Sequence, residues 1–161
     1  MLSQGKRSSV VPVPKPFRQL LKRCDYCVPC YLLKTTPHIV NKILVVDDDL
    51  DILEVVHILL TLNKFTVRTI SRGESVDQEV REFTPDLILL DVSLGTTDGR
   101  VICQRLKSSP GTSRIPVILF SAHFDLVNNI SGCHADDVIT KPFEVADMLG
   151  KIRKTLAASE S

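Results

Sequence analysis

The stretch Ile43-Leu44-Val45-Val46-Asp47-Asp48-Asp49 decides the fold. Four apolar residues, three of them β-branched, end abruptly in three acids. A continuous run of this kind, without alternation, reads as a strand buried on both faces, as in a parallel sheet covered by helices. Beyond it, Ile52, Leu53, Val55, Val56, Leu59, Leu60 and Leu62 recur with helical spacing as far as Asn63. His57 sits among them and is expected to pack with them. Phe65–Ile70 predicts a second strand, Glu74–Phe83 a second helix, and Leu87-Ile88-Leu89-Leu90 a third strand introduced by Pro85 and stopped at Asp91. Val101, Ile102, Arg105 and Leu106 suggest a third helix, and Pro116-Val117-Ile118-Leu119-Phe120 a fourth strand ending at Ser121. A short helix near Leu126–Ile130 follows, then a brief strand Val138-Ile139-Thr140. Val145, Met148, Leu149, Ile152 and Leu156 form the apolar stripe of a last helix. The expected fold is α/β, with five parallel strands and five helices on both faces, because each parallel pair needs a right-handed crossover.

Upstream the character differs. Residues 1–38 hold five of the nine prolines, including Val11-Pro12-Val13-Pro14-Lys15-Pro16, and read as a flexible leader that favours extended geometry over helix. Its start weakly resembles an organelle transit peptide, and an expression tag or mis-called start would look much the same. The folded domain is read as 39–158, with 159–161 a tail and no output domain after it. Seven Lys/Arg against Asp25 give the leader a net charge of +6, while residues 39–161 carry 13 basic and 18 acidic side chains, net −5. An acidic body disfavours direct nucleic-acid binding there, since phosphate attraction needs clustered positive charge. No apolar run approaches the roughly eighteen residues needed to cross a bilayer. Membrane insertion is therefore not expected, and a cytoplasmic location is.

In an open parallel sheet the ligand site lies beyond the carboxyl ends of the strands. Asp47, Asp48 and Asp49 close the first strand, Asp91 the third and Ser121 the fourth, and Lys141 follows the fifth. Carboxylates brought together repel one another unless a hard divalent cation sits among them, and oxygen-only ligation points to magnesium. Lys141 is a compact charge for an anionic oxygen or a carboxylate, and Ser121 adds a hydroxyl donor. The set suits a phosphoryl group held against a carboxylate nucleophile, for which Asp91, ending the central-looking strand, is the best candidate. The adjacent acids of the first strand are better arranged as a metal-binding pair.

These residues resemble the receiver domain of two-component response regulators: Leu-Val-Val-Asp-Asp-Asp at 44–49, Leu-Ile-Leu-Leu-Asp ending at Asp91 with Asp98-Gly99 after it, Ser121-Ala122, and Ala135-Asp136-Asp137 leading to Lys141-Pro142-Phe143. The resemblance implies a flavodoxin-like doubly wound fold and phosphorylation of Asp91 by a histidine kinase or phosphotransfer protein. It further implies Mg2+ held by Asp47 or Asp48, Asp91 and the backbone carbonyl of Ser93, a cis Lys141-Pro142 peptide, and Ser121 as the switch hydroxyl. The product would be a stand-alone switch, not an enzyme, acting on a downstream protein that the sequence does not name. Val138 stands where the family usually has an aromatic residue, and Gly95 replaces a common proline. The stretch from Ser121 to Lys141 is slightly short, so the helix within it is expected to be abbreviated.

Other readings compete. Asp49 and Asp98 read most simply as helix caps. A phosphatase of the haloacid dehalogenase type would use Asp47 as nucleophile and Asp49 as general acid/base, and a pseudo-receiver would bind partners without phosphorylation. Cys24, Cys27 and Cys30 have metal-ligand spacing but lack a clear fourth ligand, so they are read as incidental thiols. Five cysteines in a chain without a secretory signal argue against a disulfide framework.

Overall fold

The structure, a computed structural model, describes residues 40–122 and 132–159. Strand β1 (Lys42–Val46) is followed by α1 (Leu50–Leu62), β2 (Thr66–Ile70), a 3-10 turn at Gly73–Ser75, and α2 (Val76–Phe83). Strand β3 (Leu87–Asp91) leads through a two-stranded ribbon, Ser93–Leu94 against Thr97–Asp98, to α3 (Gly99–Ser108). Strands β4 (Val117–Ser121) and β5 (Asp137–Thr140) and helix α4 (Val145–Ser159) complete the domain. All pairings within the main sheet are parallel, in the order β2-β1-β3-β4-β5, the doubly wound arrangement expected. Four helices lie among the described residues. The leader, its cysteines and the short helix expected near Leu126–Ile130 lie outside them.

Each face of the sheet has its own core. Leu44, Val46, Ile88, Leu90 and Leu119 pack with α2 and α3, while Ile43, Val45, Leu87, Leu89, Ile118 and Phe120 pack with α1 and α4. Alternate residues of one apolar run thus feed opposite cores, which is why the strands show no alternation in sequence. Met148, Leu149, Ile152 and Leu156 of α4 are buried as expected. Val145 is not: it opens the helix and stays exposed. In α1 only Leu53, Val56 and Leu60 are buried, while Val55 and Leu62 face outward and His57 is exposed instead of packed. Seven apolar positions span a wider arc than one face of a helix can bury. Asp49 caps α1 by accepting from the amides of Asp51 and Ile52, and Asp98 caps α3 by accepting from that of Arg100. The Lys141-Pro142 peptide is cis. Among the described residues, no helix is long and apolar enough to cross a membrane.

Candidate phosphoryl-acceptor site

Strand register builds the site. Val46 of β1 stands opposite Leu90 of β3, so Asp47 and Asp91 follow at the same level on neighbouring strands. Asp91 stands opposite Phe120, one residue before Ser121, and Ser121 stands opposite Thr140, one residue before Lys141. Four residues dispersed over nearly a hundred positions thereby reach one edge of the sheet, at the switch point between β1 and β3.

The Lys141 ammonium joins the two inner acids, donating to Asp47 Oδ2 at 2.6 Å and to Asp91 Oδ1 at 2.7 Å. Asp47 and Asp91 are 1% and 5% exposed, so their charges must be met within the protein or by a bound ion. Asp91 Oδ2 accepts from the Ser93 amide at 2.6 Å, and Asp47 Oδ1 from the Asp49 amide at 3.0 Å. Burial pushes the Asp91 carboxyl above the usual range, the Lys141 contact opposes it, and the charge on Asp47 adds to the rise. Burial disfavours the charge on Lys141, but the two carboxylates outweigh it and hold the ammonium more firmly than usual. Asp48 is exposed at the rim, where its Oδ2 accepts from the Gly95 amide at 2.9 Å.

Asp47, Asp48 and Asp91 each offer a carboxylate oxygen, and these atoms lie within 4.8 Å of one another. One ammonium against three carboxylates leaves two formal negative charges, the complement of a hard divalent cation. The donor set therefore fits a metal ion. A cleft of about 510 Å³ borders Asp48, with Arg72, Glu74, Leu94 and Thr96 among its walls. A cleft of about 760 Å³ lies elsewhere, between α2 and α3, where Asp77 already pairs with Arg105 at 2.9 Å.

Ser121 is buried at the end of β4, and its carbonyl accepts from the Lys141 amide at 2.7 Å. Asp49 stands outside the acidic trio and spends its carboxylate on the α1 cap, where the phosphatase alternative would have it act as general acid/base. Asp136 is occupied structurally, by Lys107 at 2.6 Å and the Val117 amide at 2.7 Å. Val138 is packed in the core on the α2 and α3 side. Two residues quoted in the sequence motifs were given no role there. Phe143 stacks on Phe120 with ring centroids 5.3 Å apart, behind Lys141. Gly99 lets α3 begin against the strand end, since a Cβ there would lie 1.9 Å from the Asp91 carbonyl oxygen. The Asp98-Gly99 pair at a helix start was the available signal.

Comparison with known proteins agrees with this geometry. The family model of the response regulator receiver domain matches residues 43–153. The DNA-binding dual master transcriptional regulator RpaA of Synechocystis sp. is 36% identical over 121 residues, which cover 74% of this chain and 50% of that protein. The DNA-binding response regulator MtrA of Mycolicibacterium smegmatis is 34% identical over 122 residues, 74% and 52% of the two chains. The chain thus spans about half the length of these relatives. Among solved structures, the signal receiver domain of a histidine kinase from Syntrophus aciditrophicus superposes with a TM-score of 0.68 at 28% identity, covering 73% of this chain and 91% of that one. The BeF3-activated N-terminal receiver domain of RstA from Klebsiella pneumoniae gives 0.65 at 27% identity, covering 72% and 98%. With the fold, the strand-end acids and these likenesses in agreement, the chain belongs to the response regulator receiver domain family.

Proposed function

We propose that Asp91 accepts a phosphoryl group from a histidine kinase or phosphotransfer protein, and that the acyl phosphate alters the affinity of this domain for a downstream protein. The observation that supports it most is the Lys141 ammonium shared between Asp47 and Asp91, with Asp48 beside them. An Asp91 oxygen attacks phosphorus, the phosphorus–nitrogen bond of the donor phosphohistidine breaks, and the imidazole leaves with the bonding pair. Asp47 or Asp48, Asp91 and the Ser93 carbonyl would hold Mg2+, which supplies positive charge against repulsion between the phosphoryl oxygens and the carboxylate. Lys141 is then free to pair with the phosphoryl group, and the Ser121 hydroxyl is the second donor. Phosphorylation shifts a two-state equilibrium, and output follows only if the partner distinguishes the two states.

This is a switch located in the cytoplasm, not a turnover enzyme. The acidic body argues against DNA contact by the receiver itself. Longer relatives carry the same domain, and the function is that of the receiver. Intact-mass measurement after incubation with magnesium and acetyl phosphate tests it. One phosphoryl addition mapping to Asp91 is expected, and Asp91→Asn abolishes it; undiminished addition in that variant refutes the assignment.

A further inference from the structure

Two cysteines of the domain meet in its interior, away from the acidic site. Cys103 lies in the first half of α3, and Cys133 lies in the turn Gly132–His134 that leads into β5. Although 30 residues apart in sequence, the Cys103 thiol donates to the Cys133 carbonyl oxygen at 3.3 Å and also interacts with the Cys133 side chain. No disulfide joins them, and they are 0% and 3% exposed. Among the described residues no third metal-ligating side chain joins them in a metal-binding group. Two sulfurs brought together from separate elements are the starting arrangement for a disulfide.

We propose that Cys103 and Cys133 form a reversible disulfide that fastens α3 to the turn entering β5, a redox modification site distinct from Asp91. The oxidant is a peroxide. Cys133 reacts first, because it sits in a turn whose residues on either side are exposed, whereas Cys103 is enclosed within α3. Its thiolate attacks a peroxide oxygen and the oxygen–oxygen bond breaks. The departing hydroxide takes the thiol proton as water, leaving a sulfenic acid. The Cys103 sulfur then attacks the Cys133 sulfur, the sulfur–oxygen bond breaks, and hydroxide leaves with the Cys103 proton as a second water. Two thiols and one hydrogen peroxide become one disulfide and two waters. Burial and the neighbouring Cys133 push the Cys103 thiol up to about 12, and its proton is taken up by the departing hydroxide as the sulfur attacks. The consequence for signalling rests on the proposed function: a covalent tie to α3 limits how far the turn Gly132–His134, which leads into β5 and Lys141, can shift when the site is phosphorylated.

The test oxidises the whole chain with hydrogen peroxide, alkylates remaining thiols in denaturant, and maps tryptic peptides without reduction. A cross-link between Val101–Arg105 and Ile115–Lys151 is expected. It should be removed by dithiothreitol, be absent in Cys103→Ser and Cys133→Ser, and form equally in Asp91→Asn. Oxidation of Cys24, Cys27 and Cys30 in the same digest shows that the oxidant acted. If these are oxidised while Cys103 and Cys133 remain free thiols, or if either of the two pairs with a leader cysteine, the proposal is overturned. A second measurement compares the amide spectra of reduced and oxidised protein on adding acetyl phosphate. Loss of response only in the oxidised form supports the restraint, and equal responses overturn it. A failure of both forms to respond counts against phosphorylation, leaving the cross-link to be judged by mapping alone.

Discussion

Replacing Gly99 with alanine tests whether α3 is seated directly on the backbone of the strand that ends in Asp91. The added Cβ would lie 1.9 Å from the Asp91 carbonyl oxygen, 3.0 Å from its carbonyl carbon and 3.2 Å from Val92 Cα. All three are backbone atoms of a buried strand end, so no side-chain rotation relieves the clash, and α3 or the strand must shift. The Gly99 amide also donates to the Val92 carbonyl at 2.8 Å, and the Asp98 cap on the Arg100 amide at 2.9 Å is adjacent. Overpacking costs about 1–3 kcal/mol, a lost hydrogen bond about 1 kcal/mol and a disturbed cap about 1 kcal/mol. The expected loss is about 3–5 kcal/mol, a large part of the roughly 5–15 kcal/mol that holds a domain together. In urea unfolding followed by circular dichroism, the midpoint should fall by on the order of 2 M. Gly150→Ala is the control: nothing lies within 4 Å of a Cβ there, and alanine within α4 should gain up to about 1 kcal/mol. A Gly99→Ala midpoint equal to that of the parent, or an equal fall in Gly150→Ala, would refute the steric argument.

Lys141→Ala should cost about 3 kcal/mol or more without divalent cation, because it leaves Asp47 and Asp91 buried and unpaired. Magnesium titration should still show binding, while the spectral response to acetyl phosphate disappears; an unchanged response would remove Lys141 from the switch. Asp98→Ala should lose about 1 kcal/mol at neutral pH through its cap. Hydrogen bonding from Arg100 holds the Asp98 carboxyl below its ordinary 3.8, so this contribution is complete above that value and fades as the pH falls through the lower folded one. Unfolding curves of the two proteins should accordingly converge in strong acid, and a gap that widens there would contradict the assignment.

Local pattern carried much of the architecture. The unbroken runs Ile43–Val46 and Leu87–Leu90 are doubly buried strands, and the caps Asp49 and Asp98 stand where their spacing to the following helices put them. Pattern was less informative where it was redundant. Helix α1 has more apolar positions than its buried face can take, and the choice of Leu53, Val56 and Leu60 over Val55 and Leu62 depended on how the helix rolled onto β1 and its neighbours. His57 went outward with the losing positions. The expected second helix likewise opens with a 3-10 turn, Gly73–Ser75, before its α-helical part.

At the site the residue types were legible and their contacts were not. Burial preference and periodicity are written along the chain, so the sequence alone determined the alternation of strands and helices and the collection of acids, lysine and serine at one sheet edge. Inter-strand register is set by contacts between distant segments, and only it decided that Lys141 joins Asp47 to Asp91 while Asp49 turns away to cap a helix. The seat of Gly99 on the Asp91 carbonyl and the meeting of Cys103 with Cys133 arise in the same way. Each is a distance between atoms on separate elements, which exists only once the helices have docked on the sheet.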